Sequence, residues 1–380
     1  MRIGIIGNGK MGKQIAGEFL LHNIKVSIYC IENIEKTEKI FKKIVKRMFK
    51  AGSISEEEKQ KLEKENFCKN SLNELENCDV VIEAIVEDYQ EKKKIFEEMD
   101  KLFSKQTIFV TNTSSLCLEK IFENVTHKER CAGLHFFYPV RVSSVVELNV
   151  MDETGKDVES NLLEIIELIE KRKMLLKPGV HFLSNKMISL VTTQAYDLAI
   201  DNDVDILKMN DEVLMKIMNM GAFDIVNFVG IPIIKESLLN LTDEYHKFLF
   251  SRFYKVCIKI ENEGFKGDLY GSNIYDFFEK TANQKKIDDS ESERFKEIIL
   301  SVLLNDLFLI LNDFDNSEEI LFGIKEVLSL KATLSELYQT LGYQKLKENL
   351  DKLYANKPNR IYSVYSKKEY DDYYLRGGMN

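Results

Sequence analysis

The amino-acid sequence predicts an N-terminal α/β domain with a mostly parallel sheet, followed by an all-α C-terminal region. Over the first 177 residues, short apolar runs alternate with amphipathic stretches, which is the pattern of repeated strand–helix–strand units. From about Pro178 onward the candidate strands disappear, and apolar side chains recur at helical spacing, as at Ile188, Val191, Ala195 and Leu198. This change of pattern predicts a domain boundary near residue 177.

The predicted strands of the N-terminal domain are residues 2–7, 25–30, 79–84, 107–111, 131–135, 145–150 and 174–177. A helix at 13–21 connects the first two strands, and a long helix at 34–50 follows the second. Gly52 breaks that helix. A second charged helix begins after Ser55, whose hydroxyl can cap its first turn, and the acids at 56–58 lie at the positive end of its dipole.

Two stretches of the helical region resemble two stretches further along it. Residues 228–231 resemble 340–343, and the helices predicted at 191–203 and 302–313 are similar. A duplicated helical module would explain both pairs. Under this explanation the chain has three parts, residues 1–177, 178–282 and 283–380. Amphipathic helices also resemble one another without duplication, so both explanations stay open.

Composition and charge exclude several classes of protein. Of the 380 residues, 44% are hydrophobic and 30% are charged, a balance typical of globular proteins. The net charge of −9 argues against nucleic acid as a partner, and no apolar run approaches the roughly 20 residues of a membrane helix. The six cysteines show no metal-binding spacing, and no secretory signal opens the sequence. We therefore expect a cytoplasmic protein without a membrane span or a metal site.

Residues 7–12, with the sequence GNGKMG, follow the first predicted strand directly and open the first predicted helix. In this context the G-x-G-x-x-G pattern is a dinucleotide-binding fingerprint. Gly7 permits a tight turn, Gly9 lets the backbone approach a pyrophosphate, and Gly12 allows the helix to pack closely on the strand. The N–H groups at the start of the helix are donors for phosphates. We predict that Gly7, Gly9, Met11 and Gly12 line a dinucleotide site.

The acid that usually follows the second strand of such a domain, where it binds the adenosine ribose, is missing here. That place falls on Cys30, whose thiol cannot supply a carboxylate. Glu32 stands two residues later and is the candidate substitute. No arginine occupies residues 31–35, so a 2′-phosphate is not favoured. The predicted cofactor is therefore NAD rather than NADP.

One histidine stands where a general base is expected. His135 ends a predicted strand, and ligands of open parallel sheets bind beyond the carboxyl ends of the strands. Glu147 lies on the next predicted strand among apolar neighbours, where a carboxylate needs a partner such as an imidazole. A histidine in an aromatic run is also a common core residue. Ser114 and Asn185 have a comparably simple interpretation, in which they belong to helix caps.

Together, these motifs resemble the 3-hydroxyacyl-CoA dehydrogenase family, which includes short-chain 3-hydroxybutyryl-CoA dehydrogenases. Their order and spacing agree over residues 1–275. The segments that carry the resemblance are residues 7–12, 81–87, 112–116, 133–140, 146–147, 182–185, 220–224 and 228–230. The resemblance implies a Rossmann-like NAD-binding domain and a helical dehydrogenase domain. It also implies NAD-dependent interconversion of 3-hydroxyacyl-CoA and 3-ketoacyl-CoA.

By this resemblance His135 is the catalytic base and Glu147 is the carboxylate that orients it. Ser114 and Asn185 are expected beside the reacting oxygen and the thioester of the substrate. Oxidation of a secondary alcohol requires the hydroxyl proton to be removed as hydride leaves the adjacent carbon. An imidazole titrates near neutral pH, so it can serve the reaction in both directions.

The resemblance also implies binding residues and an assembly. Glu87 and Lys92 match family positions that contact the nicotinamide nucleotide. In the basic helix at 34–50, Lys46 and Lys50 can attract the phosphates of coenzyme A, although a solvated helix face explains them equally well. Dimerisation through the helical half is expected from the family. A second helical module can instead cover that surface within one chain and leave a monomer.

The sequence departs from the family pattern chiefly around the cofactor. Cys30 replaces the ribose acid, and Tyr138 stands where family members usually have asparagine. The motif that leads into Asn185 is two residues out of step. These departures leave two alternatives to the main interpretation. One is a dinucleotide- or acyl-CoA-binding protein with weakened catalysis, and the other is a dehydrogenase of a free 3-hydroxy acid.

Overall fold

The computed structural model describes residues 1–240, 244–281, 287–312, 314 and 317–376. The chain divides into two compact units, Met1–His181 and Phe182–Asn380. The first is an α/β unit with a mostly parallel sheet, and the second is helical in its described residues. The predicted fold class is therefore confirmed, whereas the division into three parts stays a prediction.

Eight strands form one sheet in the first unit. They are β1 (Arg2–Ile6), β2 (Lys25–Tyr29), β3 (Cys68–Lys69), β4 (Val80–Glu83), β5 (Ile108–Thr111), β6 (Cys131–Phe136), β7 (Val145–Asn149) and β8 (Arg172–Leu176). Their order in the sheet is β3-β2-β1-β4-β5-β6-β7-β8. Every neighbouring pair is parallel except β6 and β7. In the sheet, β2 and β3 lie on one side of β1, and the strands from β4 onward lie on its other side. A ligand crevice is expected at this switch point between β1 and β4, at the carboxyl ends of the strands.

The α-helices of this unit are α1 (Lys10–Leu21), α2 (Ile34–Lys50), α3 (Glu56–Lys64), α4 (Tyr89–Leu102), α5 (Leu118–Ile121) and α6 (Lys156–Leu168). Ile5, Ile28 and Ile82 in the central strands are fully buried, as expected for parallel strands that are covered on both faces. Ser55 caps α3, because its hydroxyl accepts the N–H of Glu58 while the Glu58 carboxylate accepts the N–H of Ser55. This cap was predicted from the sequence.

The second unit consists of α7 (Leu183–Asp201), α8 (Ile206–Lys208), α9 (Met215–Ile217), α10 (Ala222–Val229), α11 (Ile231–Asn240), α12 (Glu244–Asn262), α13 (Tyr275–Thr281), α14 (Asp289–Leu311), α15 (Ser317–Val327), α16 (Leu334–Leu341), α17 (Tyr343–Asn356) and α18 (Lys367–Arg376). A π-helical segment, Met209–Leu214, joins α8 to α9. The long apolar helices α7 and α14 are buried along most of their length and pack against each other.

Local structure within this unit repeats at an interval of 112 residues. α10 and α16 begin at 222 and 334 and have eight residues each. Each is followed by a glycine with positive φ, Gly230 or Gly342, after which the next helix begins immediately. Asp224 and Glu336, at the same interval, each accept the main-chain N–H of the N-cap residue three positions earlier. The same capping and turn chemistry thus recurs in register.

The repeated parts meet at an antiparallel bridge between Met218 and Leu330, which are also 112 residues apart. The N–H of Asn219 donates to the carbonyl of Ser329 at 2.7 Å. Equivalent residues that pair with each other in opposite directions lie at a local two-fold axis. This arrangement supports duplication of a helical module over a chance likeness of helices.

Candidate active site

The glycine-rich loop between β1 and α1 has the shape of a phosphate cradle. Gly7 has φ +104°, and a Cβ on Gly12 would lie 1.8 Å from the carbonyl oxygen of Gly7. A Cβ on Gly9 would meet no atom of the described residues within 4 Å, so the backbone at Gly9 faces open space. Because Gly9 is also the N-cap of α1 and has no side chain, the first N–H groups of the helix stay available for phosphate oxygens. These residues fit a dinucleotide, while the Met11 side chain packs against the core.

At the adenosine end of this cradle, a thiol occupies the place of the usual acid. Cys30 directly follows β2 and is 2% exposed, and a hydrogen bond from Cys68 lowers the pKa of its thiol. The predicted substitute, Glu32, has an exposed side chain, and its main-chain carbonyl accepts the amide of Asn8 at 2.6 Å. No sequence pattern pointed to Glu38 in α2, whose Oε1 accepts the N–H of Cys68 at 2.5 Å and whose Oε2 is buried. Only the fold brings this acid to the thiols.

His135 and Glu147 form a buried pair on the antiparallel strands β6 and β7. They occupy opposite positions in the strand register, so their side chains project from the same face of the sheet. The Nδ1 atom of His135 is 2.9 Å from Oε2 of Glu147. The side chain of His135 is 7% exposed and that of Glu147 is fully buried. The ring of Phe137 contacts the imidazole, with the ring centroids 4.5 Å apart.

A second cluster of charged side chains lies at the carboxyl ends of β4 and β5. The ammonium of Lys92 is 2.7 Å from Oε1 of Glu83 and 3.2 Å from Oε2 of Glu87. Oε1 of Glu87 accepts the hydroxyl of Thr113 at 2.5 Å and the N–H of Ser114 at 3.0 Å. Burial alone would lower the pKa of Lys92, but the two carboxylates raise it. The cluster therefore fixes the loop that carries Ser114.

The loops after β5 and β6 are joined to each other and to α1. Oδ1 of Asn112 accepts the N–H of Phe136 at 2.9 Å, and Oε1 of Gln14 in α1 accepts the N–H of Val140 at 2.8 Å. Because α5 begins at Leu118, the loop that contains Asn112 and Ser114 does not cap the next helix. That simpler interpretation is wrong for this loop.

In the loop after β6, Tyr138 lies beside the first residue of α1. The ammonium of Lys10 is 5.5 Å from the centroid of the Tyr138 ring. The residue that replaces the asparagine of the family pattern is thus placed next to the phosphate cradle.

The other predicted binding residues lie elsewhere on the chain. Asn185 is the third residue of α7 in the second unit, and Phe182 is the N-cap residue of that helix. Its predicted role beside the substrate and the alternative of a capping role both stay predictions. Lys46 and Lys50 are exposed on α2, whereas Lys42 donates to the carbonyl oxygens of Glu63 and Glu65 and so joins α2 to α3.

Two of the predicted absences concern a metal site and a membrane span. Within the described residues, no group of three or more histidine, cysteine or acidic side chains is arranged to hold a metal ion. None of the helices in the same residues is both long and apolar enough to cross a membrane.

Comparison with known proteins connects this geometry to one family. Residues 2–178 match the model for "3-hydroxyacyl-CoA dehydrogenase, NAD binding domain". A probable 3-hydroxybutyryl-CoA dehydrogenase of Bacillus subtilis (strain 168) is 27% identical over 288 residues, which cover 74% of this chain and 99% of the relative. The mitochondrial hydroxyacyl-coenzyme A dehydrogenase of Mus musculus is 28% identical over 61% of this chain and 77% of its own length.

Solved structures show the same fold. The 3-hydroxybutyryl-CoA dehydrogenase of Escherichia coli K12 superposes with a TM-score of 0.78 at 17% identity, covering 100% of this chain and 99% of its own. The (S)-3-hydroxybutyryl-CoA dehydrogenase of Ralstonia eutropha has a TM-score of 0.62 at 21% identity, covering 72% of this chain and 97% of its own. The fold of the first extends over both units, including the helices after residue 282.

Proposed function

This chain belongs, through its N-terminal domain, to the 3-hydroxyacyl-CoA dehydrogenase family, and from that premise we propose that it interconverts 3-hydroxyacyl-CoA and 3-ketoacyl-CoA with NAD. The observation that carries the proposal is the buried contact of 2.9 Å between His135 and Glu147 at the edge of the sheet where the dinucleotide cradle opens. A surface histidine pair would not need a fully buried carboxylate. A base for alcohol oxidation does need a fixed orientation.

The pair explains how a proton can be moved at the reacting oxygen. Because Nδ1 of His135 lies against the carboxylate of Glu147, the proton of the neutral ring belongs on Nδ1 and the lone pair on Nε2. Nε2 then takes the hydroxyl proton of the substrate, and Glu147 stabilises the imidazolium that forms. When bound, NAD supplies the acceptor for the hydride that leaves the adjacent carbon. In the reverse direction His135 returns the proton to the ketone oxygen.

We assign Ser114 and Asn185 to the reacting oxygen and the thioester of the substrate. Support for Ser114 comes from its loop, which the Glu87 carboxylate holds at the carboxyl end of β5. Lys46 and Lys50, which are exposed on α2, are assigned to the phosphates of coenzyme A. A cytoplasmic location agrees with these small-molecule partners.

The repeat in the second unit supports a monomeric protein. The family resemblance implies dimerisation through the helical half, in which two copies of one module would face each other, whereas here two similar modules of one chain meet at the bridge between Met218 and Leu330. We propose that the second module takes the place of a partner subunit.

One observation favours a second candidate function. A dinucleotide- or acyl-CoA-binding protein with weakened catalysis would tolerate Cys30, a buried thiol in place of the ribose acid. Turnover separates the two functions, because the second predicts nucleotide binding without hydride transfer.

The test is the consumption of NADH with acetoacetyl-CoA, run beside NADPH and beside free acetoacetate. Turnover only with NADH and the thioester supports the proposed function. Turnover with free acetoacetate would assign the protein to free hydroxy acids. Nucleotide binding without turnover of either substrate would support the second candidate.

A further inference from the structure

Three charged side chains, Glu83, Lys92 and Glu87, form a cluster that extends from the sheet to the Ser114 loop. Glu83, the last residue of β4, is fully buried, and Lys92 in α4 is 1% exposed. Glu87, at the other end, has a side chain that is 24% exposed. One ammonium is thus shared by two carboxylates, so the cluster carries a net charge of −1 when all three are ionised.

The Glu83 end of this cluster lies next to the phosphate cradle. Glu83 lies beside Ile6 in the register of β4 and β1, and Ile6 directly precedes Gly7. The carbonyl of Ala84, which follows Glu83, would be 2.6 Å from a Cβ on Gly7. The buried charge of Glu83 therefore sits one strand from the loop that fits a dinucleotide.

Glu83 is fully hydrogen-bonded, and its partners leave it no direct role toward a substrate. Its Oε1 accepts the N–H of Ile85 at 2.7 Å and faces the Lys92 ammonium, while Oε2 accepts the Thr111 hydroxyl at 2.6 Å. Removing such a charge from water is unfavourable, and an apolar pair of similar volume is often at least as stable. Stability alone therefore gives a weak reason for an ion pair at this position.

We propose that Glu83 is a positioning residue that holds Lys92 between the two carboxylates and keeps one net negative charge beside the cradle. The consequence, which rests on the proposed function, is a preference between the two forms of the cofactor. The oxidised nicotinamide ring carries a positive charge that the reduced ring lacks. A fixed negative charge in a poorly hydrated site therefore favours binding of NAD⁺ relative to NADH.

The test is the ratio of the Kd for NAD⁺ to the Kd for NADH, measured by calorimetry in the wild type and in Glu83→Gln. Because glutamine keeps the shape and removes the charge, the ratio should rise on the order of tenfold. The fluorescence of bound NADH gives a second, independent measurement of the Kd for that form. A purely structural role for Glu83 would weaken both forms equally and leave the ratio unchanged.

Two controls separate charge from hydrogen bonding and from general effects. Thr111→Val removes a hydrogen bond to Glu83 without changing the charge, so the ratio should stay at the wild-type value. Glu123→Gln removes an exposed carboxylate that lies 2.6 Å from Lys93, the neighbour of Lys92 in α4. Its charge is screened by water, so the ratio should again be unchanged.

If Glu83→Gln does not fold, the same ratio of Kd values is measured in Glu87→Gln. It removes the same charge from the more exposed end of the cluster, and the ratio should rise in the same direction. An unchanged ratio in Glu87→Gln, or in a folded Glu83→Gln, overturns the inference. A wild-type protein that binds neither form of the nucleotide would instead refute the proposed function.

Discussion

Glu147 lies directly opposite His135 on the adjacent antiparallel strand, and its Oε2 is 2.9 Å from the imidazole Nδ1. The strand register itself sets this distance, because opposite residues of an antiparallel pair project from the same face. The imidazole is therefore oriented before any substrate binds. A base that is held in this way needs no rearrangement of its partner during proton transfer.

His135→Gln should lower kcat by about 10²–10⁴ because it removes the general base and leaves the phosphate cradle intact. NADH affinity, measured by fluorescence titration, should be essentially unchanged. His127→Gln is the matched control, since His127 makes a similar contact of 2.9 Å with Glu129 on the exposed surface. Wild-type turnover in His135→Gln would remove this residue from the mechanism.

Alanine at two glycines of the cradle should have different effects. In Gly12→Ala the new Cβ would clash with the Gly7 carbonyl at 1.8 Å, so we expect the free protein to lose about 2 kcal/mol or more of stability. In Gly9→Ala the new methyl group faces open space, so the Tm should hold while NADH binds at least about tenfold more weakly. Calorimetric melting and NADH titration measure both effects. Unaltered NADH binding in Gly9→Ala would place the diphosphate elsewhere.

Cys30→Asp should tighten NADH binding by about 1–2 kcal/mol, the size of a hydrogen bond to a charged group. The carboxylate would accept the ribose hydroxyls at the place where the thiol now lies. Cys30→Ser, which has no charge, is the control and should change the Kd little. Equal affinities for the wild type and Cys30→Asp would indicate that Glu38, whose buried Oε2 lies at the same thiols, already serves the ribose.

The parts of the site that the sequence predicted are those that depend on local pattern. The glycine fingerprint follows a strand and opens a helix, and His135 and Glu147 lie on consecutive strands, so chain order alone brings them together. Glu38 was missed because it meets Cys68 only when α2 packs against the two-residue strand β3, which is too short to show a pattern. Glu83 was missed because it ends a run of apolar residues and its partner comes from the next helix.

A solution mass of 44.2 kDa, that of one chain, is expected from light scattering at micromolar concentration. The reason is the bridge between Met218 and Leu330, where two similar modules of one chain meet as two subunits would. A mass of twice this value that persists on dilution would show a dimer. The second module would then not take the place of a partner subunit.

Asp197 in α7 should contribute more to stability at low pH than at high pH. The carboxylate of an ordinary ion pair does the opposite and loses its contribution at low pH. Burial raises its pKa to about 6. Oδ1 lies 3.6 Å from Arg252, too far for a hydrogen bond, and accepts none from the described part of the chain. The charged form is therefore the costly one in the folded state. Because the folded pKa lies above the unfolded value, this group's contribution to stability is fully present below about pH 4 and is lost as the pH rises through about 6.

Asp197→Asn should consequently raise the free energy of unfolding at pH 8 by about 1–2 kcal/mol, after allowance for the partial exposure of the side chain, and change it little at pH 4.5. Melting curves at the two pH values measure the difference. Asp201→Asn is the matched control, because Asp201 lies one turn later, is exposed, and binds Arg252 at 2.6 Å. That variant should lose a little stability at pH 8. A lower Tm for Asp197→Asn at pH 8 would mean that attraction to Arg252 outweighs the cost of burying the charge.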